Sequence, residues 1–462
     1  MNKSKVGLLP LYLELYDRTL SEYRVSAEKF LKTIIKHLQN RGIEVVAAPI
    51  CRLKKEFAGA VKSFEETPVD AIVTLHLAYS PSLESAGILA ATKIPIIVLD
   101  TTPDFDFGPG QSPEAIMSNH GIHGVQDMCN LLVRNRKRFF LESGHWEKSD
   151  VLDRVAGWAY SARLILRIRQ SRVGQIGSYF EGMGDFALSP GDLRVSPGIE
   201  TVIADPGVLQ SLMPADDDPE VDAEVSADRK KFNVKGVGPE VLRKANVAGL
   251  AVRRWINKEK LSAFTFNFLT AEKEFRFPIL PFLEAAKSMA RGIGYAGEGD
   301  VLTAALVGTL ITVYPETSFV EMFCPDWKHN TIFLSHMGEM NLNLVSGRPR
   351  LIKKDFPFTK NKVQLKMAGR FKPGSAVLVN LAPGPERSYT LLVAPVQVLP
   401  VKGKDRMTET VHGWIKPSKD IAEFLSDYSY HGGTHHLAMV YGKVSEEIIK
   451  FGRLMGWKTV RI

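Results

Sequence analysis

Residues 71–102 read AIVTLHLAYSPSLESAGILAATKIPIIVLDTT. Two β-branched runs, AIVTLHL and PIIVLDTT, flank a segment of helical character that opens after a proline. Strand, helix and strand in succession fit neighbouring strands of a parallel sheet. Working outward, the pattern repeats. VGLLPL (6–11) precedes a helical stretch in which Phe30, Ile34, Ile35 and Leu38 fall on one face, closed by Gly42 as a C-cap. IEVVAAPI (43–50) follows, and KRFFLE (137–142) is a weaker strand. Alternation of this kind predicts a parallel sheet with helices on both faces. Ligands collect at the carboxyl ends of such strands, here HLAYS (76–80) and DTTPDFD (100–106). The long Pro/Gly-rich loop beyond carries His120 and His123, and a long loop in this position is expected to be functional.

A helical pattern over 151–170 leads into RVGQIGSYF (172–180), where the alternation restarts. From about residue 326 the character changes. QLKMAGRF, AVLVNLAP and SYTLLVAPVQVLPV are strands with turns between them, predicting an antiparallel sheet or small barrel. The expected organisation is α/β: two Rossmann-like domains with parallel sheets, 1–170 and 171–325, then a β-rich domain, 326–462. The acidic stretch 214–232 reads as an exposed loop or helix edge.

The chain has 462 residues, 45% hydrophobic and 24% charged, with a net charge of +8. No apolar run reaches the ~18 residues of a membrane span, and the N-terminus reads as a first strand, not a secretory signal. The basic residues are scattered apart from RNRKR (134–138) and RKK (229–231), so no nucleic-acid partner is expected. The 3 cysteines, Cys51, Cys129 and Cys324, form no CxxC and fit a reducing cytoplasm. Cys324 is expected to be a small buried residue. GIGYAG (292–297) spells GxGxxG, but it follows a helical pattern, the wrong context for a dinucleotide fingerprint.

The chemistry-bearing residues lie later. In GYAGEGD (294–300) glycines flank Glu298, and Asp300 is placed to cap the helix VLTAALVGTLITV. Glu321 lies in TSFVEMF among apolar residues at strand spacing, where a carboxylate needs a partner. His336 ends the strand-like TIFLSH. In HGGTHHLAMVYG (431–442), His435 and His436 are adjacent, and adjacent residues on a strand face opposite ways. Two carboxylates and two imidazoles at strand ends suit a divalent ion of the Mn²⁺, Co²⁺ or Mg²⁺ type. The spacing matches no HExxH or CxxC site.

These segments resemble L-arabinose isomerases. GYAGEGDVLTAAL, TSFVEMF, LSHMGE and GGTHH are similar to four blocks of that family, in the same order. NHGIHG (119–124), SGHW (143–146) and FTFNF (264–268) add to the likeness, and the wider fold is shared with L-fucose isomerases. The resemblance implies an aldose–ketose isomerase working through a cis-enediol. It implies Glu298, Glu321, His336 and His436 as ligands of a divalent metal, most often Mn²⁺, with the two glutamates also as the acid/base pair. It places Phe268 and His435 at the sugar. It sends His123 into the site of a neighbouring subunit, and so implies a homo-oligomer, a trimer or hexamer. The first ~100 residues match only in general pattern: LPLYLELYD (9–17) and HLAYSPS (76–82) replace the family's sugar-contacting segments, so the metal site looks retained and the sugar pocket altered. A catalytically silent sugar-binding homologue and a metal-dependent sugar epimerase are the alternative readings.

Overall fold

The computed structural model describes residues 3–215, 217–359 and 363–462. It forms two compact units, residues 1–166 and 167–462.

The first unit is built on a five-stranded sheet: β1 (Ser4–Leu11), β2 (Ile43–Ala47), β3 (Ala71–His76), β4 (Ile96–Asp100) and β5 (Phe139–Ser143). The order is β2-β1-β3-β4-β5 with every pairing parallel. All six residues of β3 are buried, as a central parallel strand covered on both faces requires. The chain reverses direction across the sheet between β1 and β3, the usual place for a ligand crevice. The loop after β4 holds a short helix, Ile116–Asn119, and Tyr16 Oη lies 2.9 Å from His120 Nε2. His123 lies on the helix Gly121–Arg134, its ring centre 6.0 Å from that of His120.

The second unit has two sheets. β6 (Arg172–Ile176), β7 (Glu200–Ile203), β8 (Ala263–Phe266) and β9 (Gly294–Gly297) form a parallel sheet in the order β7-β6-β8-β9. The nine remaining strands are β10 (Thr317–Asp326), β11 (Thr331–His336), β12 (Arg350–Asp355), β13 (Val363–Arg370), β14 (Gly374–Pro383), β15 (Tyr389–Val398), β16 (Val411–Pro417), β17 (His436–Tyr441) and β18 (Lys458–Arg461). Six of them run β16-β11-β10-β17-β14-β15, and a β15–β16 pairing closes the ring. Every pairing in it is antiparallel. This is the small barrel expected from the strand-rich C-terminal sequence, with β13 and β18 added in parallel. The helix Val301–Ile311 joins the two sheets, and all of its residues are buried.

Two local expectations change. The stretch 214–232, of which residue 216 lies outside the described residues, forms the helix Pro219–Lys231. Its Glu224 and Asp228 are joined to Arg253 and Lys287, at 2.6 Å in the bonds Arg253–Glu224 and Lys287–Asp228. Acidic composition therefore concealed one face tied into the protein. Cys324 is exposed, not buried, because β10 runs outward beyond Glu321 into its hairpin.

Candidate metal centre

Glu298 stands on the turn that ends β9. Its φ is 61° and that of Gly299 is 86°. A glutamate in the left-handed region is uncommon and costs ~1 kcal/mol or more. The turn is held from several sides. Asp300 N donates to Gly297 O at 3.0 Å, Phe180 N to Glu298 O at 2.9 Å, and Gly299 N to Thr265 Oγ1 at 3.0 Å. Both flanking glycines are required. A Cβ on Gly299 would meet Ser178 O at 2.5 Å, and one on Gly297 would meet His336 Cε1 at 2.9 Å.

Asp300 does two things. One oxygen accepts from Thr303 N at 2.8 Å, capping the buried helix, and the other lies 2.9 Å from His436 Nδ1. The cap was legible in the sequence; the histidine contact was not, because it spans 136 residues.

Glu321 lies on β10 between its two partner strands, opposite Ser335 of β11 and His436 of β17. Register alone thus sets His436 beside it, and His336 one residue from its other partner. His436 Nε2 is 2.8 Å and His336 Nε2 is 3.2 Å from Glu321 Oε1. Phe319, two residues earlier and so on the same face of β10, meets both rings edge-on at 4.9 and 5.0 Å. Phe186 stacks on His436 at 4.9 Å, with 9° between the planes.

Glu298, Glu321, His435 and His436 each offer one ligand atom, all within 4.8 Å of one another. His336 joins this group through Glu321. The rings of His435 and His436 are only 4.3 Å apart, not on opposite faces as adjacent strand residues would be. The reason is that β17 begins at His436, so His435 belongs to the preceding turn. His435 Nε2 is 3.8 Å from Glu298 Oε2, and its side chain is 40% exposed, which puts it on the open side of the group.

Each imidazole is anchored through Nδ1 by a carboxylate: His336 by Glu339 at 2.7 Å, His435 by Asp185 at 2.7 Å and His436 by Asp300. Glu339 also accepts from Tyr295 Oη at 2.9 Å. This leaves the three Nε2 atoms turned inward, the arrangement that orients metal-binding histidines. His436 Nε2 is buried and has no hydrogen bond of acceptable angle despite its short approach to Glu321. Asp185, Glu339 and Phe186 were missed by sequence reasoning. Only Glu339 carried a signal, as the fourth residue of HMGE.

The electrostatics follow from crowding. Burial pushes the Glu298 carboxyl up, but the imidazoles of His435 and His436 turned toward it, and the charge of His336, outweigh it, holding it at about 2. Glu321 is treated the same way and held well below the usual carboxylate range by His336 and His436. Burial pulls His336 down, and the charges of Glu339 and Glu321 overcome it, raising the ring to about 10. His435 is raised to about 9 by Asp185 and Glu298 against the same burial penalty. His436 is raised too, against burial, through Asp300 and both glutamates. The two carboxylates thus demand positive charge between them, which protons or a divalent ion can supply.

Phe268 opens the helix Phe268–Phe275, is buried, and packs on Phe180 at 5.5 Å between ring centres.

The sequence has relatives along most of its length. Residues 207–314 match the family domain described as the L-arabinose isomerase central domain, and residues 316–458 match the L-arabinose isomerase C-terminal domain. The L-arabinose isomerase of Acidothermus cellulolyticus is 25% identical over 421 residues, covering 85% of this chain and 80% of that protein. That of Shewanella sp. (strain MR-4) is 24% identical over 447 residues, covering 91% and 86%. A solved periplasmic solute-binding protein from Actinobacillus succinogenes, with bound D-allose, is 14% identical over 67% of this chain and 92% of its own. Its TM-score of 0.18 is too low to inform the fold. A mixed α/β protein with this carboxylate–imidazole cluster, matched over more than half its length by two adjoining domains of one family, is an enzyme of a defined class. The chain belongs to the L-arabinose isomerase family, a family of aldose–ketose isomerases.

Proposed function

We propose that this protein is a metal-dependent isomerase that interconverts an aldose and its ketose by moving a proton between C1 and C2 through a cis-enediol. The observation that carries this reading is the convergence of Glu298, Glu321 and three histidines from β9, β10, β11 and the start of β17. The donor set fits a divalent ion. It has carboxylates and imidazoles but no thiolate, which favours Mn²⁺, with Co²⁺ and Mg²⁺ as alternatives. The buried Nε2 of His436, turned toward both glutamates without a well-formed hydrogen bond, fits the same role.

Glu298, Glu321, His336 and His436 would hold the ion, and His435, on the open side, would meet the sugar. When bound, the ion supplies Lewis-acid polarisation of the sugar's oxygens. The protein's own residues do the rest. Glu298 and Glu321 stay ionised and are the acid/base pair: one takes the proton from carbon and returns it to the neighbouring carbon on the same face. The strained turn, held by the Phe180 N–H on the Glu298 carbonyl, fixes the Glu298 carboxylate. Asp300, Glu339 and Asp185 hold the imidazoles in place.

His123 is assigned to the site of a neighbouring subunit in a homo-oligomer, a trimer or hexamer. The second unit is divided near residue 325 into a central and a C-terminal domain. No helix among the described residues is long and apolar enough to cross a membrane, and a cytoplasmic location is part of this proposal.

The test is isomerisation in deuterated water. Protein stripped with chelator and reloaded with Mn²⁺ is offered pentoses, 6-deoxyhexoses, hexoses and hexuronates. Deuterium should enter C2 of one aldose or C1 of its ketose. Silence from every sugar, with Mn²⁺ still bound, would leave a sugar-binding homologue and overturn the enzyme reading.

A further inference from the structure

Lys366, the fourth residue of β13, holds its ammonium between two phenyl rings. Nζ is 4.2 Å from the ring centre of Phe356 and 5.1 Å from that of Phe282. No carboxylate of the described residues forms an ion pair with it. Among the described residues, the acidic group that acts on it, Glu339, already has its two oxygens engaged by His336 and Tyr295. Burial pulls the lysine down, Glu339 opposes this, and Lys354 adds to it. Cation–π contacts offset part of the cost of burying such an ammonium, but they leave its charge without a counter-ion.

Its position connects it to the candidate metal centre twice. On one side a row of phenyl rings leads there: Phe356 packs on Phe268 at 5.3 Å, Phe268 on Phe180 at 5.5 Å, and Phe180 N binds the Glu298 carbonyl. On the other side, the loop after His336 lies against it. A Cβ on Gly338 would stand 3.1 Å from Lys366 Cβ. A cation placed beside the ion-binding residues, but not among them, is placed to meet the remote end of a ligand.

We propose that Lys366 binds an acidic group at the end of the sugar remote from C1 and C2, so that the substrate is a sugar acid of the hexuronate class. This rests on the isomerase reading above and names its substrate class. A carboxylate suits the surroundings better than a phosphate. Among the described residues one ammonium stands against these rings, which matches a single negative charge, whereas a phosphate dianion calls for several donors. Among the described residues, the other cation that acts on it, Lys354, is paired with Glu409 at 3.6 Å.

The experiment is calorimetric titration of the Mn²⁺-loaded full chain with a hexuronate, the matching hexose and that hexose's 6-phosphate. Deuterium exchange is followed in parallel on the same samples. The hexuronate should bind roughly tenfold or more tightly than the hexose, a difference of ~1.4 kcal/mol. Lys366→Gln should erase that preference while leaving hexose binding and Mn²⁺ affinity unchanged, and Lys366→Arg should keep most of it. Equal binding of hexuronate and hexose by the wild-type protein overturns the proposal, as does a preference that survives Lys366→Gln. Tighter binding of the 6-phosphate overturns the carboxylate assignment. A Lys366-dependent hexuronate preference with no deuterium exchange in any sugar would keep the acid site and sink the isomerase reading.

Discussion

Two histidines close strands in this molecule, His76 at the end of β3 and His336 at the end of β11, and both are buried. Burial pulls each ring toward neutrality. Yet His76 is pulled down to about 3, while His336 is pushed up to about 10. The company of each ring decides. Around His76, only Asp127 opposes burial, and that carboxylate is engaged by Ser82 N at 3.0 Å and Ser82 Oγ at 2.7 Å. Neither ring nitrogen of His76 has a hydrogen bond, and the helix glycine Gly124 packs so tightly that a Cβ there would lie 2.4 Å from its Cδ2. His336 sits between Glu339 and Glu321. A histidine at a strand end is therefore a packing residue or a charged one according to the carboxylates that other strands deliver to it, and position within its own strand does not tell which.

The largest expected effect tests the charged side of this comparison. Glu298→Gln keeps the size and the turn but removes the base. Deuterium exchange into the sugar should fall by ~10²–10⁴-fold, the range for a positioned general base. The thermal unfolding midpoint should barely move. Near-normal exchange would take Glu298 out of the acid/base role. Next in size is the grip on the ion. Asp300→Asn should weaken Mn²⁺ binding by ~10–100-fold, because it disturbs the group that orients His436. His436→Ala should cost at least as much, and His435→Ala less, since His435 stands on the open side. Equal losses at His435 and His436 would break that ranking.

The same contrast gives a pH dependence. The ring protons of His336, held to about 10, and of His436, raised above its ordinary range by Asp300 and both glutamates, compete with a bound ion. Mn²⁺ uptake should release protons, and its apparent affinity should rise with pH through neutrality toward about pH 10. Calorimetry in buffers of different ionisation enthalpy counts the protons. Affinity that stayed flat from pH 6 to 8 would mean that these rings bind no metal.

How much of this was legible in the sequence varies with the range of the contact. The parallel strands were legible because each is a contiguous β-branched run, and burial on both faces leaves an unbroken apolar stretch. Glu298, Glu321, His336 and His436 could be picked out because glycines, strand spacing or a strand end mark each one locally. What was illegible is what joins them. Glu321 faces His436 only through the β10–β17 register, and Asp185 reaches His435 across 250 residues from a segment with no motif. The expectation that His435 and His436 point apart failed for a local reason: the strand starts one residue later than the alternation argument needs.

The smallest effect belongs to His76, where the sign can be worked out in full. An unfolded histidine titrates near ~6.5, and the folded ring is held at about 3, by burial first and with Asp127 acting weakly against it. Between those values the unfolded chain binds a proton that the folded one refuses. Stability is therefore full above about pH 6.5 and is lost as pH falls toward 3. From pH 6.5 to 5.5 the loss should be ~1 kcal/mol. It should show as lower protection of the β3 amides once the intrinsic pH dependence of exchange is divided out, since the ring is packed under that strand's end. His76→Leu should flatten the dependence. If instead the ring signals of His76 titrate with a midpoint near 6.5 in the folded protein, this histidine is solvated. The distinction between a packing histidine and a charged one would then rest on His336 alone.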